Sequence, residues 1–359
     1  MKRIINILKV SLIILTVLSL SVTFGGCKKD RGALKIGLSF SDFSTERWPV
    51  EAAQMTALAN EKGVQVVSQV ANHDVKLQND QIENMVLQGV DVIVIIAEDG
   101  DACATAVETA VKAKIPCIAY DRLIKTDKLA AYISFDNVEV GRQQADGVLK
   151  VRDKGRFVML GGSPTDNNAK LFRKGQMEKI QPLVDSGDIT IVADKWVDNW
   201  ERSNASKIME NILASQNNKI DAIIASNDAT ALGAIDALKM VGSDGKIPIS
   251  GQDATAAGCK AIVEGELTMT VFKDVRLLTP IAIEMAIKLA KREKIEDLVN
   301  YDLSSLTLDD SLSGQVPCKF LPVVQVDKTN LYEIVIKSGS QKYDEVYRDV
   351  PADMRPPRI

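Results

Sequence analysis

The sequence predicts an α/β protein built from two doubly wound, Rossmann-like lobes, and three observations lead to this prediction. Short apolar runs typical of buried strands alternate with amphipathic stretches typical of helices. The alternation runs from about residue 33 to 138 and then starts again, which gives two βα series of similar length. Polar side chains follow the predicted strands, at the edge where open parallel sheets bind ligands.

The first series contains five predicted strands and four helices. Its strands are Leu34–Phe40, Val64–Ser68, Asp91–Ala97, Pro116–Tyr120 and Tyr132–Phe135. Its helices are Trp48–Lys62, Asp74 to about Gly89, Ala102–Lys114 and one that Asp136 and Asn137 begin. Gly63 is the expected C-cap of the first helix and Asp74 the N-cap of the second. The run Asp91–Ala97 is apolar on both faces, as a central parallel strand must be.

The second series repeats this order and then returns to the first. Its strands are Arg156–Leu160, Ile189–Ala193, Asp221–Ala225, Ile247–Gly251 and Met269–Phe272. Its helices begin near Asp166 and include Ser203–Gln216 and Ala229–Met240, and a further helix spans about Leu277–Lys291. The late strand-like runs Val323–Val326 and Glu333–Ile336 indicate that the chain crosses back between lobes. We therefore assign residues 33–138 with 275–312 to the N-terminal lobe, 139–274 with 313–345 to the C-terminal lobe, and 346–359 to an irregular tail.

The N-terminal segment predicts export. Lys2 and Arg3 precede a mostly apolar stretch, Ile4–Phe24, and two glycines then lead to Cys27. This order resembles a bacterial lipoprotein signal, so we interpret residues 1–26 as a signal peptide and Cys27 as the lipidated residue that anchors the protein to the membrane. A retained transmembrane anchor is the alternative, because the stretch is just long enough to span a bilayer. In both cases the rest of the chain faces the periplasm or the cell exterior.

Composition narrows the function classes. The formal net charge is −4, and −7 without the three basic residues of the signal segment, which argues against nucleic acid as a partner. The chain has a single histidine, His73, and no CxxC pair, so a zinc site of the usual spacing is not expected. The sequence does not select a disulfide pairing among the remaining cysteines, and we favour buried free thiols. These cysteines are Cys103, Cys117, Cys259 and Cys318.

The residues that follow the predicted strands have the chemistry of carbohydrate recognition. Asp accepts hydrogen bonds, Arg and Lys donate them and Asn does both, which suits adjacent sugar hydroxyls. All three tryptophans lie in these loops, where an indole can pack against the apolar face of a sugar ring. The segments are Ser44–Trp48, Glu98–Gly100, Asp121–Arg122, Asp166–Asn168, Asp194–Trp196, Asp198–Trp200, Ser226–Asp228, Gln252–Asp253 and Lys273–Asp274.

Several of these residues also have a plain structural interpretation. Asn227 or Asp228 could serve only as the N-cap of the helix that follows. Asp121 with Arg122 could form a surface ion pair that contributes little. We interpret Trp196 as a core residue.

Other function classes lack their motifs. No GxGxxG follows the first strand, no Walker A pattern occurs, and a Ser/His/Asp triad would need His73 to lie in the right place. Paired carboxylates such as Asp166 and Asp253 could hydrolyse a glycoside, so a glycosidase is the second class. Against it, we expect nearby Arg and Lys to keep both carboxylates ionised, which leaves no general acid. A repressor of the same fold would need a DNA-binding helix pair where the signal segment stands.

Ten stretches spread over nearly the whole chain carry a family resemblance. They are Glu46–Trp48, Gln81–Met85, Gly89–Val92, Ala119–Arg122, Tyr132–Asn137, Gly161–Arg173, Asn218–Ala222, Ala225–Thr230, Ile249–Asp253 and Thr268–Val271. With them the chain resembles the D-xylose-binding branch of the bacterial periplasmic sugar-binding proteins, ribose/galactose group, which serve ABC importers. The resemblance implies a type I periplasmic-binding-protein fold, with a three-crossover hinge and the sugar in the cleft between the lobes.

The resemblance also assigns binding residues by position. The implied ligands are Arg47, Trp48, Asp121 and Arg122 from the first lobe, Asp166, Asn168, Asn227, Asp253 and Lys273 from the second lobe and its edge, and Trp200, which stacks on the ring. We therefore expect a monomeric, non-enzymatic lipoprotein that binds D-xylose and delivers it to an ABC permease, without a cofactor or metal. The alternative within the family is a binding protein for another monosaccharide with a chemoreceptor as partner.

Overall fold

Residues 32–358 are described by the computed structural model, and strands and helices alternate through them as the sequence predicts. The predicted signal peptide at residues 1–26 and the lipidation site Cys27 lie outside this range. Within residues 32–358, no helix combines the length and apolar character needed to cross a membrane.

A seven-stranded sheet forms the first lobe. Its strands are β1 (Lys35–Phe40), β2 (Gln65–Val70), β3 (Val92–Ile95), β4 (Cys117–Tyr120), β5 (Ala131–Phe135), β10 (Val299–Asp302) and β11 (Gln315–Leu321). Its helices are α1 (Arg47–Glu61), α2 (Val75–Leu87), α3 (Cys103–Lys112), α9 (Val275–Ala290) and α10 (Leu303–Thr307). The spatial order is β10-β11-β5-β4-β3-β1-β2, and all neighbours are parallel except β10 with β11. The strand order reverses at β1 and β3, where doubly wound sheets place their ligands.

The second lobe is built in the same way around a smaller set of strands. They are β6 (Gly155–Gly161), β7 (Ile189–Trp196), β8 (Ala222–Ala225), β9 (Met269–Phe272) and β12 (Val324–Asp327). The helices are α4 (Asn137–Leu149), α5 (Asn167–Asp185), α6 (Arg202–Ser215), α7 (Asp228–Met240) and α8 (Ala256–Glu264). The order is β7-β6-β8, and β9 pairs separately with β12. The predicted strand Ile247–Gly251 is present only as isolated bridges at Ile249 and Ser250, since Pro248 has no N–H to extend a ladder.

The chain passes between the two lobes three times within the described range, as the predicted hinge requires. The crossings lie between β5 and α4, between β9 and α9, and between β11 and β12. The predicted lobe boundary at residue 312 is wrong, because β11 pairs in parallel with β5 in the first sheet, with Cys318 opposite Tyr132. The first lobe therefore extends to Leu321.

The C-terminal region also differs from the prediction. The run Glu333–Ile336, predicted as a strand, lies in a short π-helix, Tyr332–Ile336. A helix, α11 (Tyr343–Tyr347), extends into the predicted tail, and the side chains of Val346 and Val350 are fully buried in the core of the second lobe. The prolines of the tail begin at Pro351, and the segment before it, residues 346–350, is part of the domain.

Candidate functional site

A cavity lies between the lobes at the carboxyl ends of the strands. The empty space among its lining residues is about 320 Å³, which includes space open to solvent. The structure places all ten predicted sugar ligands around this one cavity: Arg47, Trp48, Asp121, Arg122, Asp166, Asn168, Trp200, Asn227, Asp253 and Lys273. Residues far apart in the chain thus come together, because parallel strands end at one edge of each sheet.

The first lobe presents its residues from the start of a helix and from the end of a strand. Arg47 and Trp48 open α1. Asp121 follows β4 directly and has a left-handed backbone, with φ of 60°. This uncommon conformation is held by hydrogen bonds, since the Asp121 N–H donates to the Ile133 carbonyl at 2.8 Å and Ser134 Oγ donates to the Asp121 carbonyl at 2.8 Å. Strained backbone that its surroundings hold in place is typical of binding sites.

The second lobe presents its residues from helix N-termini. Asp166 is the N-cap of α5 and accepts the N–H of Asn168 at 2.9 Å, and Asn227 is the N-cap of α7 and accepts the N–H of Thr230 at 2.9 Å. The capping interpretation of Asn227 is therefore correct, and the residue lines the cavity as well. Asp253 has a φ of 104°, which turns the chain sharply beside the cavity.

A network of buried charges connects the two lobes across the cavity. Arg47 Nη1 lies 3.0 Å from Asp121 Oδ2 and 3.6 Å from Asp253 Oδ1, and Lys273 Nζ lies 3.2 Å from Asp121 Oδ2. Arg122 Nε lies 3.1 Å from Asp166 Oδ2. The interpretation of Asp121 and Arg122 as a surface ion pair is wrong, because these residues are only 3% and 5% exposed and pair with other partners.

Burial and these partners set the protonation of the carboxyl groups. Burial raises the pKa of Asp121, but Arg47 and Lys273 outweigh it and lower the pKa to about 2. Burial raises the pKa of Asp166 and of Asp253 above the ordinary value, and the neighbouring cations only partly oppose the effect. The cations therefore oppose this shift without reversing it, and the expectation that they keep both carboxylates ionised stays a prediction.

Aromatic rings form the apolar walls of the cavity. Trp200 is 8% exposed and contacts Phe172 edge to face, with ring centroids 6.1 Å apart. A Cβ atom at Gly162 would overlap the Trp200 indole, so a glycine is needed where that ring lies. The prediction that Trp196 is a core residue is wrong: it is 38% exposed at the end of β7, an edge strand, where Arg173 stacks on its ring.

Three lining residues were not singled out from the sequence: Thr45, Phe172 and Gln252. Thr45 and Gln252 lie within the polar segments that follow predicted strands, so the signal for them was present. Phe172 lies four residues after Asn168 in α5, and the helical period places both on one face.

A second polar cluster lies in the first lobe around His73. The Nδ1 atom of His73 lies 3.1 Å from Glu98 Oε2. The Nε2 atom lies 2.9 Å from Ser44 Oγ and 3.8 Å from Asp42 Oδ1. Ser44, His73 and Glu98 are thus arranged in the order of a catalytic triad. However, Ser44 Oγ donates to Asp42 Oδ1, which also accepts the Thr45 N–H, so the hydroxyl proton of Ser44 is directed to a carboxylate and not to His73.

The same geometry bears on metal binding. The ligand atoms of Asp42, His73 and Glu98 lie within 4.8 Å of one another. In this arrangement the two carboxylates approach opposite nitrogens of the imidazole, Glu98 at Nδ1 and Asp42 at Nε2. Hydrogen bonds within the cluster account for the arrangement.

The four cysteines of the described range are free and buried, as predicted. Burial raises the pKa of the Cys103 and Cys117 thiols to about 12, and these thiols do not ionise near neutral pH.

Comparison with known proteins agrees with this architecture. The profile of the periplasmic binding protein domain family matches residues 36–294. The D-xylose-binding periplasmic protein of Haemophilus influenzae is 45% identical over 314 residues, which cover 88% of this chain and 92% of the relative. That of Escherichia coli K12 is 44% identical over 313 residues, or 87% and 92% of the two chains. An ABC transporter solute-binding protein from Clostridium phytofermentans, solved with β-D-glucose, superposes with a TM-score of 0.77 at 30% identity and covers 87% of this chain and 99% of its own. The chain therefore belongs to the periplasmic binding protein family and has its type I fold.

Proposed function

We propose that this protein binds D-xylose in the cavity between its lobes and delivers it to an ABC-type sugar permease. The observation that carries the proposal is the lining of this cavity, which combines buried carboxylates, cations and amides with indole and phenyl walls. Relatives 44% and 45% identical over most of their length are D-xylose-binding periplasmic proteins, which supports this sugar among the alternatives.

The polar groups suit a ligand with several adjacent hydroxyls. Asp121 accepts hydrogen bonds, Arg47 and Lys273 donate them, and Asn227 can do both. Charge-assisted bonds to such groups are stronger than bonds between neutral partners. The Trp200 and Phe172 rings cover the apolar C–H surface of a pyranose. Hydroxyls on a bound sugar would thus find both donors and acceptors among the lining residues.

Delivery follows from the two-lobe construction. Because Arg47, Asp121 and Arg122 come from one lobe and Asp166, Asn227 and Asp253 from the other, a sugar that contacts both sets stabilises the closed arrangement. The permease then recognises a surface that both lobes form in the closed arrangement, which bound sugar favours. We propose a monomer for this role. A chemoreceptor that recognises the same closed form is the alternative partner.

We propose that diacylglycerol on Cys27 anchors the protein to the membrane, where the protein faces the periplasm or the cell exterior. Two or more acyl chains are the number that stable anchoring requires. Cys27→Ser should move the protein from the membrane fraction to the soluble fraction. A mutant that sediments with membranes as the wild type does would favour a retained helix instead.

A ligand panel tests the binding proposal directly. Thermal unfolding is measured with D-xylose, other pentoses and hexoses, because a ligand that binds only the folded state raises the midpoint by mass action. Titration calorimetry then compares the wild type with Asp253→Ala, which should lose about 2–3 kcal/mol of binding, or roughly 30- to 150-fold in affinity. Near-wild-type affinity in the variant would contradict the site.

The second candidate is a glycosidase, because the carboxyl groups of Asp166 and Asp253 line the same cavity and a pair of carboxyl groups is what glycoside hydrolysis requires. The same samples are therefore incubated with aryl xylosides. We expect binding of xylose without release of the aryl group, and steady turnover that Asp166→Asn abolishes would favour the enzyme.

A further inference from the structure

A buried carboxylate outside the cavity holds the guanidinium of Arg47. Glu51 lies one helical turn after Arg47 in α1, and its side chain is fully buried. Glu51 Oε1 accepts a hydrogen bond from Arg47 Nε, and Oε2 accepts one from Nη2 at 3.3 Å. This two-pronged contact occupies two of the three guanidinium nitrogens.

The third nitrogen of Arg47 faces the cavity. Nη1 lies 3.0 Å from Asp121 Oδ2 and 3.6 Å from Asp253 Oδ1. Because the guanidinium is planar, fixing Nε and Nη2 also fixes the direction of Nη1. The Cζ atom of Arg47 lies 4.4 Å from the centroid of the Trp48 ring, so the plane is held against an aromatic face as well.

Tyr120 holds Glu51 in turn. Its hydroxyl donates to Glu51 Oε2, and Tyr120 is the last residue of β4, directly before Asp121. Tyr120 and Glu51 are both fully buried, and neither lines the cavity. The sequence of contacts from Tyr120 through Glu51 to Arg47 connects the strand end that carries Asp121 to the helix start that carries Arg47.

We propose that Glu51, supported by Tyr120, is a positioning residue that aims Arg47 Nη1 at a sugar hydroxyl. The inference rests on the proposed function and deepens it. Two cavity carboxylates, Asp121 and Asp253, stand beside Arg47 and could each take both prongs of its guanidinium. Nη1 already donates to Asp121 Oδ2. If Glu51 did not bind Nε and Nη2, these two nitrogens would also be free to turn toward a cavity carboxylate, which would take further acceptor oxygens from the sugar.

A double-mutant cycle tests this role. Glu51→Gln keeps the shape but gives up the charge, and it should weaken D-xylose binding about 10-fold in calorimetry. In an Arg47→Ala background the same change should alter affinity less than about twofold, because the group it positions is absent. Tyr120→Phe should show a smaller loss with the same dependence on Arg47. If Glu51→Gln reduces D-xylose affinity by the same factor with and without Arg47, the proposal is overturned.

A matched control separates positioning from general stability. Thr56→Val removes a hydrogen bond to the Ala52 carbonyl in the same helix, away from the cavity, so it should change the unfolding midpoint without changing affinity. If Thr56→Val weakens binding as much as Glu51→Gln does, helix stability and not orientation of Arg47 explains the effect.

A second measurement does not depend on the sugar. The Arg47 Nε–H donates to a buried carboxylate, so in sugar-free protein its ¹H–¹⁵N resonance should lie downfield and its proton should exchange slowly with water. The resonance is assigned by its absence from the spectrum of Arg47→Lys. Glu51→Gln should shift it, and an unshifted signal would overturn the proposal. A wild type that does not bind D-xylose would overturn the proposed function, while this resonance would still decide the role of Glu51.

Discussion

Arg122 is the residue whose replacement tests the two-lobe mechanism most directly. It is 5% exposed and connects the lobes, because Nε lies 3.1 Å from Asp166 Oδ2 in the second lobe while Nη1 donates to the Ala97 carbonyl at 3.1 Å in the first. A lysine carries a single nitrogen and cannot reproduce the planar fork that sets two donor nitrogens against these two acceptors. Arg122→Lys should therefore disrupt the contact with Asp166, which joins the lobes.

The loss can be estimated from that geometry. A hydrogen bond to a charged group contributes about 1.5–3 kcal/mol, so D-xylose affinity should fall about 10- to 150-fold. The lost contact spans the lobes, so the sugar-bound variant should also remain partly open. A ligand can shift the open–closed equilibrium only by its differential affinity for the two states, so the same sugar leaves more of the protein open when the closed state has lost a contact of its own.

Calorimetry and small-angle scattering measure the two consequences separately. The wild type should contract on addition of D-xylose, and Arg122→Lys should contract less even at saturating sugar. Arg142→Lys is the control, because Arg142 pairs with Glu178 at 2.7 Å within the second lobe and is exposed to solvent. Equal contraction and affinity within twofold of wild type would refute the reasoning for Arg122. A wild type that does not contract at all would refute the hinge mechanism.

Three further predictions follow from packing and burial. Gly162→Ala should displace the Trp200 ring and lower the free energy of unfolding by about 1–3 kcal/mol. It should also weaken D-xylose binding about 10-fold or more in calorimetry, and an unchanged affinity would mean that the ring adapts freely. Burial, with Asp253 nearby, raises the pKa of Asp228 to about 7, so the folded state holds a proton that the unfolded state has released. The free energy of unfolding, measured in urea, should then fall as pH rises from about 5 to 7, by up to about 1.4 kcal/mol per pH unit. If this free energy depends on pH as weakly in the wild type as in Asp228→Asn, the prediction is contradicted. Deletion of residues 346–359 should lower the unfolding midpoint sharply, because each fully buried valine contributes about 1.5–3 kcal/mol; an unchanged midpoint would show that the tail is not part of the core.

Local patterns in the sequence determined most of the elements and their caps. Asp74 and Asp136 accept the backbone N–H groups of Leu77 and Glu139, as predicted N-caps should. The strand β3, predicted from an apolar run, is buried along its whole length. These features depend on residues within one turn or one strand of each other, so the chain itself carries the information. The same holds for the polar residues after each strand, since parallel strands bring those ends together.

Long-range contacts decided the rest. The strand β11 belongs to the first sheet because it meets β5 about 180 residues away in the chain, and no local pattern states that pairing. Trp196 and Trp200 lie in neighbouring segments, yet one is exposed and the other is buried against Phe172. The raised pKa of Asp166 and of Asp253 follows from burial, which a sequence does not display. The sequence alone predicts which residue types line this site. Their hydrogen-bond partners and their protonation depend on which other groups the tertiary structure brings into contact with them, and on how much water it removes.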